Sequence, residues 1–195
     1  MISKEEFFSR QKTILNKRKN QINSLFEKIN KHISISGDKV LSLGCGTAYE
    51  IIILKENFNK VCAVDINNSI IDFCKEEYFC KEYSGVDFVC ENNLIFLENQ
   101  KGSSIDLILC LDMDSNIFPK QILSIAKNKL KQNSSIVFTE RANNINIYGR
   151  LLLFPFIENL KKEFGKDFIF YEEYSENDYI DSETRDDVVL IAKKK

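Results

Sequence analysis

Two glycines and one aspartate carry the clearest chemical signal in this 195-residue chain. Gly44 and Gly46 sit in the run Lys39-Val40-Leu41-Ser42-Leu43-Gly44-Cys45-Gly46-Thr47-Ala48, and Asp65 closes the run Val61-Cys62-Ala63-Val64-Asp65. Glycine at a strand-to-helix turn permits positive φ and lets a ligand lie against the backbone. The first turn of the helix that follows aims N–H groups at a ligand carboxylate or phosphate. An acidic side chain about twenty residues beyond such a turn is spaced to accept hydrogen bonds from ribose hydroxyls. A bare Gly-x-Gly also suits a crossover that binds nothing, and it is Asp65 that turns the reading toward a nucleotide-bearing ligand.

Strands and helices must hold these residues in place. Val40 to Leu43 is a short apolar run of the kind buried on both faces of a parallel sheet. It follows a turn at Ser36-Gly37-Asp38, and Glu50 to Lys55 has the composition of a helix packed on that sheet. A second strand over Val61 to Val64, a helix from Ser69 to about Phe79 and a strand over Val86 to Cys90 come next. Ile105 to Leu111 makes a fourth strand, entered through Gly102-Ser103-Ser104. Pro119 to Leu130 has helical spacing, and Ser135 to Thr139 makes a fifth strand. This alternation implies a mainly parallel sheet with helices on both faces, joined by right-handed crossovers.

The two ends depart from that rhythm. Residues 4 to 33 place Phe7, Phe8, Ile14, Ile22, Leu25, Phe26, Ile29 and Ile33 largely three or four apart, which predicts one or two amphipathic helices covering the sheet or its ligand site. After a helix from Tyr148 to Phe164, broken or bent near Pro155, Asp167 to Tyr171 and Val188 to Ala192 read as two strands. With no helical pattern between them, they should pair as an antiparallel hairpin at one sheet edge.

Composition sets the outer bounds. A net charge of −2 with 44% hydrophobic residues argues for a folded domain and against a surface that coats nucleic acid. The length suits one domain over 1–195, with 1–35 as a helical cover and 39–195 as the core. Charge is uneven: residues 1–32 hold eight Lys/Arg against three Glu, whereas 158–187 hold eleven Asp/Glu against four Lys/Arg. Solvated helix faces account for such runs, although a basic end also suits RNA or an acidic partner. Cys45, Cys62, Cys74, Cys80, Cys90 and Cys110 lie singly, without a Cys-x-x-Cys pair, so no metal is expected and a reducing cytoplasm fits. No apolar run approaches a membrane span.

Together these residues resemble the class I S-adenosylmethionine-dependent methyltransferases, in particular the small-molecule type without a separate substrate domain. Val40 to Ala48 looks like the first motif of that family, Val61 to Asp65 the second, Phe88-Val89-Cys90-Glu91-Asn92 the third, and Ile105 to Asp114 the fourth strand and its loop. The resemblance implies a Rossmann-like doubly wound α/β sheet of seven strands, mainly parallel, ending in the antiparallel hairpin. It also implies S-adenosylmethionine as cofactor, with Ser42, Gly44, Cys45 and Gly46 beneath its methionine part and Asp65 on the ribose. Ile66 would lie beside the adenine, Glu91 or Asn92 near the adenine amino group, and Leu111 on the side facing the transferred methyl. Two positions depart from the pattern. Ser42 stands where the family usually has Asp or Glu, implying weakened binding, and Ala48 stands where it usually has a third glycine. A dinucleotide reading asks for glycine at the sixth motif position, where this chain has Tyr49.

Methyl transfer from a sulfonium is an in-line displacement, so positioning in a dry pocket supplies much of the catalysis. A general base is needed only if the acceptor must lose a proton early. Candidates at the carboxyl ends of strands are Asp112 and Asp114, with Glu140 and Arg141 after the fifth strand. Helix capping or loop solvation explains Asp112 and Asp114 equally well. Tyr148 and Arg150 are candidates for the acceptor pocket, although packing and solvent contact explain them equally well. Tyr171, Glu172, Glu173 and Tyr174 are candidates for attraction of a cationic amine, although a solvated edge strand is the better explanation of an acidic exposed segment. Phe7, Phe8 and Arg10 are candidates for a lid, although burial against the sheet explains the phenylalanines as well, and His32 receives no role. The implied reaction is methylation of a small-molecule acceptor. Aminocarboxypropyl transfer, RNA methylation and a non-catalytic scaffold stay open as alternatives, although no dedicated RNA-binding module is visible.

Overall fold

The computed structural model describes residues 3–19, 21–78, 83–111, 118–141, 147–173 and 187–195. Seven strands, β1 (Gly37–Leu43), β2 (Phe58–Asp65), β3 (Val86–Cys90), β4 (Ile105–Cys110), β5 (Leu130–Arg141), β6 (Phe168–Glu173) and β7 (Asp187–Lys194), form one sheet in the order β3-β2-β1-β4-β5-β7-β6. The first five are parallel. β7 runs antiparallel between β5 and β6, so the expected hairpin is present with its second strand inside the sheet.

Alternating side chains divide the core into two layers, because successive residues of a strand point to opposite faces. Val40, Val61, Ala63, Leu107 and Leu109 join the layer that contains residues of α1 (Lys4–Lys19), α2 (Ile22–Asn30), α3 (Ile51–Asn57) and α4 (Asn68–Glu77). Leu41, Leu43, Val64, Ile108 and Cys110 join the layer that contains residues of α5 (Asn93–Glu98), α6 (Phe118–Lys129) and α7 (Ile147–Phe164). The sheet is therefore doubly wound. Helix α7 continues through Pro155 without a break in helical structure.

Four elements differ from the sequence expectation. β1 starts at Gly37, inside the expected turn, because the Asp106 carboxylate of β4 accepts from the N–H groups of Asp38 (3.0 Å) and Lys39 (2.9 Å) and holds them in strand geometry. Gly37 is needed there, since a Cβ would lie 2.6 Å from Asp106 Cβ. β5 begins at Leu130 and contains an irregularity. Ile105 pairs with Leu130 and Leu107 with Ser135, so the chain loops out around Asn133 at φ 63°. Helix α5 was not foreseen at all. Its six residues are too few to show a period, but Asn92 starts it by accepting from Leu94 N (2.9 Å) and Ile95 N (3.3 Å). The N-terminal cover also rests unequally on its two helices. α2 buries Ile22, Leu25, Phe26 and Ile29, whereas α1 buries only Leu15 and Arg18.

Candidate functional site

The site is assembled where β1 and β2 end. Gly44 (φ 68°), Gly46 (φ 51°) and Ala48 (φ 51°) are left-handed in the turn between β1 and α3. Cys45 N–H donates to Val64 O at 3.0 Å, which carries the β1–β2 pairing one residue into the turn. A Cβ built on Gly46 would meet nothing within 4 Å, so the turn borders open space on that side. Ala48 is fully buried and left-handed. Its methyl fits the core, but the backbone carries a strain of about 1–2 kcal/mol.

Asp65 ties this turn down. Its Oδ2 accepts from Gly46 N–H at 3.0 Å and its Oδ1 from Asn67 N–H at 2.9 Å, while its backbone oxygen accepts from Glu91 N–H at 3.1 Å. One residue thus links the ends of β1, β2 and β3, its carboxylate holding the turns after β1 and β2 and its backbone oxygen the end of β3. An ionised carboxylate offers about four acceptor positions, so capacity remains for ligand hydroxyls. Ile66, next in the chain, is 70% exposed, an uncommon position for a large apolar side chain unless something flat covers it.

Other expected residues are placed less openly. Asn92 has its side-chain oxygen engaged as the cap of α5, and Leu111 is buried in the core layer shared with α1–α4. Ser42 is buried at the end of β1 and donates its hydroxyl to Glu50, itself buried one residue before α3. Cys45 is buried against Cys74. The thiol–thiol hydrogen bond, burial and the nearby Glu50 and Asp65 push the Cys45 thiol well above its ordinary range. It is therefore a packing thiol and a poor nucleophile. Asp112 and Asp114 lie outside the described residues, as do Tyr174 and Cys80.

Three residues that sequence reasoning gave no role take part. Asn93 Oδ1 accepts from Gly44 N–H at 3.2 Å, linking α5 to the turn. Tyr78 donates to the carbonyls of Thr47 (3.2 Å) and Ala48 (3.1 Å) from beneath it. Glu50 is the third. The Glu91-Asn92-Asn93 run carried a local signal for Asn93, since side-chain amides cap and brace turns. Tyr78 and Glu50 depend on pairings across 30 and 8 positions, which no local pattern reveals.

Two groups of candidate residues have partners within the protein. At the β6 end of the sheet, His32 Nε2 lies 2.6 Å from Glu173 Oε1 and Lys31 Nζ 3.4 Å from its Oε2, in keeping with a solvated edge strand. Tyr171 stacks on the His32 ring with centroids 4.9 Å apart, and Lys161 pairs with Glu172 at 2.5 Å. His32, assigned no role, joins the end of α2 to β6. On α1, Arg10 forms an exposed ion pair with Glu6 of its own helix at 2.5 Å, and Phe8 packs edge-on against Phe73 of α4 with centroids 5.5 Å apart. Among the described residues no cluster of three or more His, Cys, Asp or Glu is arranged to hold a metal, and no helix is long and apolar enough to cross a membrane.

Strand order, glycine turn and terminal acid together define a class, the class I S-adenosylmethionine-dependent methyltransferases. Residues 34–177 match the family model described as "Methyltransferase domain", and the chain belongs to that family. No curated protein matches at the sequence level. A SAM-dependent methyltransferase from Archaeoglobus fulgidus is similar in structure with a TM-score of 0.61 at 18% identity, over 90% of this chain and 94% of that one. Geranyl diphosphate methyltransferase in complex with SAM gives 0.64 at 10%, over 91% and 85%. A phosphoethanolamine N-methyltransferase from Haemonchus contortus, in complex with phosphomonomethylethanolamine and S-adenosylhomocysteine, gives 0.64 at 15%, over 90% and 52%. At these identities the likeness is one of fold.

Proposed function

We propose that this chain transfers a methyl group from S-adenosylmethionine to a small-molecule acceptor by in-line displacement. The observation that carries the reading is the Asp65 carboxylate bonded to Gly46 N–H where the turn borders open space. When bound, the cofactor supplies a methyl on positively charged sulfur, which leaves as a neutral thioether. The rest of the work falls to the chain. Ser42, Gly44, Cys45, Gly46 and Leu111 support the methionine part, and Asp65 uses its remaining acceptor capacity on the ribose hydroxyls. Ile66 offers an apolar face to the adenine. Glu91 takes the adenine amino group, because two backbone N–H groups already occupy the Asn92 oxygen. Asp112 and Asp114, which follow β4, are the groups assigned to accept a proton where the acceptor must lose one.

The small-molecule assignment is supported by solved structures of the same fold whose acceptors are small. The test is to incubate the protein with methyl-deuterated cofactor and pooled small-molecule acceptors and to follow products by mass spectrometry. A product carrying one labelled methyl is expected. Transfer of the aminocarboxypropyl group, which has a different mass, would overturn the reaction type, and labelling confined to added RNA would overturn the acceptor class.

A further inference from the structure

Of the acidic residues described, only Glu50 is buried, at 1% exposure. A carboxyl group is costly in such surroundings unless something compensates. It accepts a hydrogen bond from the hydroxyl of Ser42, also 1% exposed, which sits two residues before Gly44 and is flanked by Ala63 of β2 and Leu109 of β4. A serine hydroxyl has one hydrogen and two lone pairs. With the hydrogen committed to Glu50, any further partner of Ser42 Oγ has to be a donor.

The influence of Glu50 extends along the turn. It adds to the Cys74 hydrogen bond and to burial in pushing the Cys45 thiol up. After burial it is the largest influence pushing up the phenol of Tyr78, which is bonded to the Thr47 and Ala48 carbonyls. The carboxylate of Glu50 thus disfavours an anion at both groups, and the same charge favours a cation beside it.

We infer that Glu50, acting through Ser42, is a positioning residue for the ammonium group of the cofactor's amino-acid end. The inference rests on the cofactor reading above, and it assigns to α3 a carboxylate that β1 lacks. Because the two side chains touch, moving the carboxylate from 50 to 42 should preserve its effect.

The test is calorimetric titration of the full chain with S-adenosylhomocysteine and with methylthioadenosine, which share the nucleoside and thioether while only the first carries the ammonium. Glu50→Gln should weaken S-adenosylhomocysteine by about tenfold, the scale of one charge-assisted hydrogen bond, and change methylthioadenosine by less than about twofold. The double variant Ser42→Asp, Glu50→Gln should recover affinity to within about threefold of the original. Equal weakening of both ligands, or no change in either, would overturn the inference. If the unaltered protein binds neither ligand, the cofactor reading fails and takes the inference with it.

Discussion

The carboxyl ends of β1 to β3 and the β6 side of the sheet are held together in different ways. At the first, short side chains fix backbone groups: Asp65 takes Gly46 and Asn67 N–H, and Asn93 takes Gly44 N–H. At the second, long side chains from distant segments pair across the surface, His32 and Lys31 with Glu173 and Lys161 with Glu172. The first arrangement holds a backbone curve beside open space. The second closes the protein's own acidic groups with its own cations. A site that must present N–H groups and carboxylate lone pairs to a ligand needs the first kind, because hydrogen bonds between backbone and short side chains lose little conformational freedom when formed.

The contrast can be broken first at the turn. Gly46→Val should lower S-adenosylhomocysteine affinity by more than about a hundredfold in calorimetry, because its side chain would fill open space beside the turn at a left-handed φ. Unfolding stability should fall by about 1–2 kcal/mol in urea, the cost of a left-handed non-glycine residue. An unaffected affinity would show that the ligand lies elsewhere.

A tie of intermediate size lies at the opposite, amino-terminal end of β1. Burial raises the Asp106 pKa, but the hydrogen bonds from Lys131, Lys39 N–H and Asp38 N–H outweigh it and hold the carboxyl below its ordinary value. A group depressed on folding contributes stability that is present above the unfolded-state pKa and lost as pH falls through the folded one. The protein should therefore lose stability on acidification below about pH 4, while Asp106→Asn starts about 2 kcal/mol lower at neutral pH and falls less steeply. Denaturation curves across the acid range decide this.

The β6 side should respond least. His32→Ala should cost about 0.5–1 kcal/mol in urea denaturation, the scale of one side-chain pair at the surface. The His32 bond holds Glu173 below the usual carboxylate range, with Lys31 adding to it, so this contribution too is present at neutral pH and lost on acidification. A loss of several kcal/mol would place this contact with the turn.

The same division governs what could be read in advance. Gly44, Gly46 and Asp65 were legible as a turn and a strand end because glycine and a strand-ending acid act at fixed short spacing. The mainly parallel sheet with its antiparallel hairpin followed from the alternation of apolar runs, although their order across the sheet did not. His32 was not, because its partner lies 141 positions away. The start of β1 depended on Asp106, 68 positions on, and α5 was too short to show periodicity. Ser42 could be read as a missing carboxylate, but not as a partner of Glu50, since only the turn between them brings strand and helix into contact.

The central claim is that Asp65 and the glycine turn form the donor side of a methyl-transfer site. Calorimetric titration of the protein and of Asp65→Ala with S-adenosylmethionine tests it most directly. Saturable binding by the protein and none detectable by the variant is the expected result. Equal affinity in the two would contradict the account.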